Sequence, residues 1–248
     1  MHFQCIVVEF KIYPLQTVPA FLSGMSQSQA NERIYILSEV PGMCMEEQCH
    51  LPGRDPKNLK KVSAKCPELS FIIDGTERKR QRPGNESDQK LFYSGKTECH
   101  SVKNNIIANT ESRKVCYLSR TCEGKKHDKR ICDEENHSFP VGSVLLKDTG
   151  YQGYEPENVT TYQPVKKPRG KVLPVADKIF NPMIPGVRVI VGHVISGVKR
   201  SRIVKDIFRN TEKNFDDLVM EIACGLHNIR ENFRGPERSK NSLQPLFH

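Results

Sequence analysis

Leu69-Ser-Phe-Ile-Ile-Asp74 and Ser143-Val-Leu-Leu-Lys-Asp148 decide how this chain folds. Each is a short apolar run that delivers a carboxylate at its C-terminal end. Runs of this length and composition read as buried strands. Between them, His100 to Ala108 and Lys114 to Ser119 read as a strand pair with its turn at Asn109 to Ser112. Residues 127–136 have a helical pattern. The order strand, two strands, helix, strand, helices predicts a mixed α/β sheet flanked by helices. In such sheets reactive groups collect at the carboxyl ends of central strands, where both aspartates are expected. Two carboxylates on adjacent rigid strands can share divalent cations. Magnesium suits them, because it takes hard oxygen ligands and keeps positions open for water and phosphate.

Further along, Val187, Ile190, Val191, Val194, Ile195 and Val198 form one apolar helical face. At 100° per residue, Arg188, Gly192 and Lys199 fall within about 40° of one another along its edge. An acid at position 192 would project from the rim of the core into a cleft, with Arg188 and Lys199 placed to hold phosphates. Pro182 and Pro185 should delay the start of this helix to near Gly186.

Residues 13–40 have a helix-turn-helix rhythm. Thr17 can cap a short helix containing Val18, Phe21 and Leu22, and Gly24 makes the turn. Ser26-Gln-Ser-Gln29 is a capping box that opens a second helix through Ala30, Ile34 and Leu37. Its first turns present Gln27, Ser28, Asn31 and Arg33, side chains of the types that read base edges in the major groove. The same pattern equally describes a helical hairpin packed on the main domain. Residues 1–12 offer no complete leading helix. Residues 41–67, with Pro41, Pro52-Gly53, Pro56 and Pro67, read as a linker with one short helix around Asn58 to Ala64. The expected division is a DNA-binding region plus linker over 1–66 and a catalytic domain over 67–248.

The net charge of +9 points to a polyanionic partner, nucleic acid first. Arg78-Lys-Arg-Gln-Arg82, Lys166 to Lys171 and Arg200 to Arg209 are expected to form one positive surface. The early apolar stretch Cys5-Ile-Val-Val8 is far short of a membrane span, and no signal-peptide pattern appears, so a cytoplasmic location is expected. The nine cysteines are irregularly spaced; Cys44-x4-Cys49-His50 and Cys116-x5-Cys122-x9-Cys132 lack the paired C-x2-C of structural zinc sites. Reduced thiols are the expectation.

Taken together, Ile72-Ile-Asp-Gly-Thr-Glu77, Tyr93-Ser-Gly-Lys96 with His100 and Lys103, Gly124 with His127-Asp128, Lys147-Asp-Thr-Gly-Tyr-Gln-Gly153, Lys166-Lys-Pro-Arg-Gly170 and Val194-Ile-Ser-Gly-Val-Lys199 carry a resemblance. The chain resembles the DDE-type transposases of bacterial insertion sequences, in the insertion-sequence five group, from about Tyr13 to Gly235. The resemblance implies a ribonuclease-H-like catalytic fold behind an N-terminal helix-turn-helix. It implies cleavage at inverted-repeat ends, 3′-hydroxyl attack on target DNA, a two-magnesium site that manganese could fill, a homodimer on double-stranded DNA, and a bacterial, nucleoid-associated setting. Asp74 and Asp148 match the first two metal-binding acids. Arg188 and Lys199 match the basic members of the last motif, and Arg78, Arg80, Lys166, Lys167 and Arg169 are the expected backbone contacts. Gly192 stands where the family has its catalytic glutamate. A degenerate copy with impaired cleavage is one reading; a catalytically inactive DNA-binding remnant that occupies inverted repeats is the other.

Overall fold

Alternation along Phe71-Ile-Ile73 sends successive side chains to opposite faces of one sheet. The computed structural model describes residues 2–59, 69–164 and 185–234. Within them the strands are β1 (Ser70–Lys79), β2 (Tyr93–Ser94), β3 (Cys99–Asn109), β4 (Val115–Leu118), β5 (Cys122–Glu123), β6 (Ser143–Lys147) and β7 (Val159–Tyr162). The sheet order is β2-β3-β1-β6-β7, and β4 and β5 also pair with β3. β1 runs antiparallel to β3 and parallel to β6, and β6 is parallel to β7. This mixed order, with helices on both faces, is the ribonuclease-H-like arrangement.

One face carries Ile72, Ile106, Leu118 and Leu146. It is covered by α1 (His2–Ile12), α3 (Gln27–Glu47), α6 (Pro185–Val198), α7 (Arg202–Lys205) and α8 (Phe215–Asn232), through side chains such as Phe10, Ile34, Val194, Ile203 and Val219. The other face carries Phe71, Ile73, Ile107 and Leu145. It packs against Cys132 of α5 (Asp128–Glu135) and against Phe139, Tyr151 and Tyr154. The remaining helices are the short α2 (Thr17–Leu22) and α4 (Glu86–Phe92). Among the described residues no helix is long and apolar enough to cross a membrane.

Several boundaries differ from the sequence expectation. β1 does not stop at Asp74. Its antiparallel pairing with β3 continues to Lys79↔Ser101, whereas the parallel pairing with β6 ends at Ile73↔Lys147. The apolar run recorded where double-sided burial ends, not where the strand ends. Residues 2–12 form a helix that buries Ile6 and Phe10, although no complete leading helix was expected. α2 is capped by Gln16, without a side-chain bond, rather than by Thr17. The capping box forms as expected: Ser26 Oγ accepts from Gln29 N–H, and Gln29 Oε1 accepts from Ser26 N–H. α3 then runs through Pro41 to Glu47, into the expected linker. An interior proline forfeits one helical hydrogen bond. Burial of Gly42 and Met45 just beyond it offsets that loss. Of the short helix expected from Asn58 to Ala64, only a 3-10 turn at Pro56–Asn58 is described; positions 60–64 and residues 165–184 lie outside the described residues.

Two glycines of α6 stand in opposite surroundings. A Cβ on Gly197 would lie 2.3 Å from His227 Nδ1, whereas a Cβ on Gly192 would meet nothing within 4 Å. His227 cannot swing away freely, because its Nε2 is bonded to the Arg113 carbonyl at 2.9 Å. Gly197→Ala should therefore cost about 1–3 kcal/mol through overpacking. Gly192→Ala should add about 1 kcal/mol of helix stability. Urea-unfolding midpoints of the two variants should move in opposite directions from the parent.

Candidate active site

Asp74 and Asp148 sit one step beyond the last parallel pair, Ile73↔Lys147. Ile72 and Leu146, two residues before each, both belong to the face covered by α6. By alternation the two aspartates belong to that face as well. Asp74 Oδ1 accepts from Gly75 N–H at 2.8 Å. Asp148 caps the 3-10 turn Thr149–Tyr151, accepting from Thr149 N–H at 2.6 Å. The Asp74 carboxyl is raised to about 6: burial contributes most, the nearby charges of Asp148 and Asp128 add to it, and the Gly75 amide and Lys96 oppose it.

Asp128 approaches from the other face. Its carboxyl carbon lies 3.0 Å from where a Cβ on Gly75 would stand, so glycine at 75 leaves room for it. Lys103 Nζ is 3.5 Å from Asp128 Oδ1. Asn105 of β3 ties this region together. Its Nδ2 donates to the Asp128 carbonyl at 2.9 Å and to Cys132 Sγ at 3.1 Å, and its Oδ1 accepts from the buried Tyr151 hydroxyl at 3.0 Å. One amide thus fixes both the start of α5 and the turn after Asp148. Glu77 also belongs to this opposite alternation. Its Oε1 accepts from the hydroxyls of Thr97 (2.8 Å) and Ser101. Burial opposes ionisation there, but bonds from Ser101, Ser94 and Thr97 outweigh it and hold the carboxyl low.

Across the first face lies α6. Gly192 is exposed with open space around it. Lys199 follows the last turn and donates from Nζ to the Glu77 carbonyl at 3.1 Å. Burial lowers its pKa, and Arg78 adds to that, while Glu77 and Asp74 oppose. The side chain of Arg188 lies outside the described residues, as do Lys166, Lys167 and Arg169 altogether.

Arg78 corrects the sequence reading. It was expected on a positive surface, yet it is fully buried. Its guanidinium donates to the Asp216 carbonyl (2.9 Å), Asn104 Oδ1 (2.9 Å) and Thr121 Oγ1 (3.1 Å). Its position explains this: 72, 74, 76 and 78 share one face of β1, and α8 covers that face. Arg80 is half-buried, with its guanidinium 4.1 Å from the Phe92 ring centroid. Gln27, Ser28 and Arg33 are exposed on α3, and Asn31 is half-buried, accepting from Gln16 Nε2 at 2.5 Å. Lys103 and Asn105 were missed as organising groups. The signal was available: Asn104-Asn105 interrupts a buried strand, and buried amides must be hydrogen-bonded.

Among the described residues no three His, Cys, Asp or Glu side chains converge as a metal-holding cluster. Magnesium needs only one or two carboxylates when water and phosphate complete its shell. The hard-oxygen pair Asp74 and Asp148 fits that requirement.

The family model described as DDE superfamily endonuclease matches residues 73–228. The chain belongs to this family. The match begins one residue before Asp74 and ends within α8, so it takes in both aspartates and α6. The chain is also 27% identical over 205 residues to a protein from Microchaete diplosiphon described as a probable transposase for insertion sequence element IS702, covering 83% of this chain and 71% of that protein.

Asp74 carries a stability cost in the folded protein. A folded-state pKa of about 6 against an ordinary aspartate value of 3.8 means that folding favours the protonated form. The penalty is absent below about pH 4, grows through pH 6 and is complete above it. In chelator, Asp74→Asn should be more stable than the parent at pH 8 by on the order of 2 kcal/mol. That gap should close at pH 4. Thermal melts at the two pH values measure it.

Proposed function

We propose that the chain is a transposase of the insertion-sequence type, built for metal-dependent cleavage and strand transfer on DNA ends and impaired by Gly192. The observation that carries this reading is the placement of Asp74 and Asp148 side by side on the face that α6 covers. Asp74 and Asp148 would hold magnesium, with manganese as a substitute. A bound pair of divalent ions would activate the attacking hydroxyl and stabilise the leaving oxygen. The chain's own groups do the positioning. Lys199 has three ammonium protons and spends one on the Glu77 carbonyl, which leaves donors for a DNA phosphate. Glu77 belongs to the opposite alternation of β1, and Asp128 starts α5 beside Gly75, on that opposite alternation. That favours position 192 over either of them as the place of the absent third acid.

The DNA assignment rests on family, charge and the exposed turn of α3. Gln27, Ser28, Asn31 and Arg33 would read bases, and Arg188 with the basic segment at 166–169 would contact the backbone. Residues 1–66 are the proposed recognition region and 67–248 the catalytic one, acting as a dimer on double-stranded DNA in a bacterial cytoplasm. The alternative, an inactive remnant that occupies inverted repeats, has the same fold and differs in the outcome at position 192.

Nicking of labelled duplex carrying the ends of the encoding element tests this directly. With magnesium, the parent should cleave several powers of ten more slowly than Gly192→Glu, because loss of one ion removes several kcal/mol of barrier lowering. The open space at residue 192 admits the longer side chain. Equal, robust cleavage by both would refute the role given to position 192. No cleavage by either, with binding intact, would favour the remnant.

Duplex binding should also fall steeply with salt. A contact surface of several Lys and Arg residues gives a log–log slope near −0.9 per phosphate neutralised. Anisotropy titrations between about 50 and 200 mM salt measure the slope, and a flat response would refute the phosphate contacts.

A further inference from the structure

A cavity of about 540 Å³ opens where α1, α2 and the first turns of α3 meet the segment after Phe208. That volume is within the range of small-molecule sites. Its lining includes Glu9, Tyr13, Gln16, Asn31, Tyr35 and Arg209. Glu9 is 4% exposed, and its Oε2 has no hydrogen-bond partner among the described residues. A buried acceptor without a donor costs free energy, so it is a place for a ligand's N–H. Burial raises the Glu9 carboxyl to about 7, and Arg209 opposes that; the Arg209 guanidinium lies 4.3 Å from the Tyr13 ring centroid and donates to the carbonyls of Tyr13 and Pro14. Aromatic faces, side-chain amides and one unpaired acceptor are the groups that hold an unstacked base.

A second observation lies on α2. Thr17 lines the cavity, and Phe21, four residues on, lies on the same helical face. Phe21 is 86% exposed, and its neighbour Leu22 61%. Exposed apolar side chains beside a DNA-reading helix can wedge between base steps and unstack them.

We infer that this cavity receives a single nucleobase bearing an exocyclic amino group, displaced from the duplex by Phe21 and held through that amine by Glu9 Oε2. The inference rests on the proposal that α3 faces DNA. Asn31 and Gln27, both on α3, also line the cavity, so its mouth opens beside the proposed base-reading surface.

Fluorescence anisotropy with the full chain tests this on three duplexes of one sequence: fully paired, with one unpaired cytosine, and with one unpaired thymine. An unpaired base needs no extrusion, so the cytosine duplex should bind about tenfold tighter than the paired one. The thymine duplex, whose base lacks an amino group, should gain less. Glu9→Met removes the acceptor and should erase the difference between cytosine and thymine. Thr17→Trp changes an exposed residue and should block the mouth, abolishing the gain from an unpaired base. It serves if the buried substitution fails to fold. Equal affinity of the parent for all three duplexes would overturn the inference, as would a cytosine preference that survives Thr17→Trp. If no duplex binds, the DNA-binding reading fails separately. Calorimetry with deoxycytidine and thymidine monophosphates then decides the cavity alone: a cytidine preference lost in Glu9→Met supports it, and no preference overturns it.

Discussion

Four residue pairs between β1 and β6 hold this molecule's chemistry in place. Ser70↔Val144 through Ile73↔Lys147 is the whole parallel contact between the two strands. A parallel pair cannot be closed by a hairpin; the chain must leave, cross and return. Here the excursion contains β3, its partner strands and α5. Everything in it is arranged so that β6 returns in one register. Shifting β6 by one residue would turn Leu146 and Asp148 away from the face that Ile72 and Asp74 occupy. The apolar side chains that lock the register are therefore also what aligns the carboxylates.

Polar groups finish what the apolar layers begin. Arg78 is buried against α8, and its bonds reach Asn104, Thr121 and the Asp216 carbonyl. Beside it, Asp217 joins Arg54 and accepts from Thr121 N–H at 2.8 Å and Oγ1 at 2.7 Å. Removing one member of such a buried network strands its partners, which is costly because the interior cannot rehydrate them. The network welds β1 to α8, so the sheet and that helix hold one geometry. On the opposite face Asn105 has the same role at smaller scale.

The succession of the main strands along the chain was legible because buried strands must be apolar, and the runs before Asp74 and Asp148 meet that demand; β7, half-exposed, was not foreseen. The helical face of Val191, Val194 and Val198 was legible for the same reason; all three are buried. What was hidden depended on partners distant in sequence. Arg78 stands in the basic run Arg78 to Arg82, and composition assigns such runs to the surface. Only its alternation with Ile72 and Asp74 marked it as inward. Pro41 reads as a stop, and it is passed because Met45 beyond it packs into the core. α1 is short and apolar, and its burial comes from residues such as Val204 and Phe208, nearly two hundred positions away.

In the proposed reading, the bare position at 192 changes how the protein stands when divalent ions are scarce. Carboxylates gathered for a cation repel one another until it arrives, and a folded state that gathers more of them leans harder on the cation. This chain gathers fewer. Its empty fold therefore carries a smaller electrostatic load, and scarcity of divalent ions should unfold it less readily than a sister chain with a complete set of acids. On that reading, the absence of a third acid loosens the tie between the fold's persistence and the supply of metal.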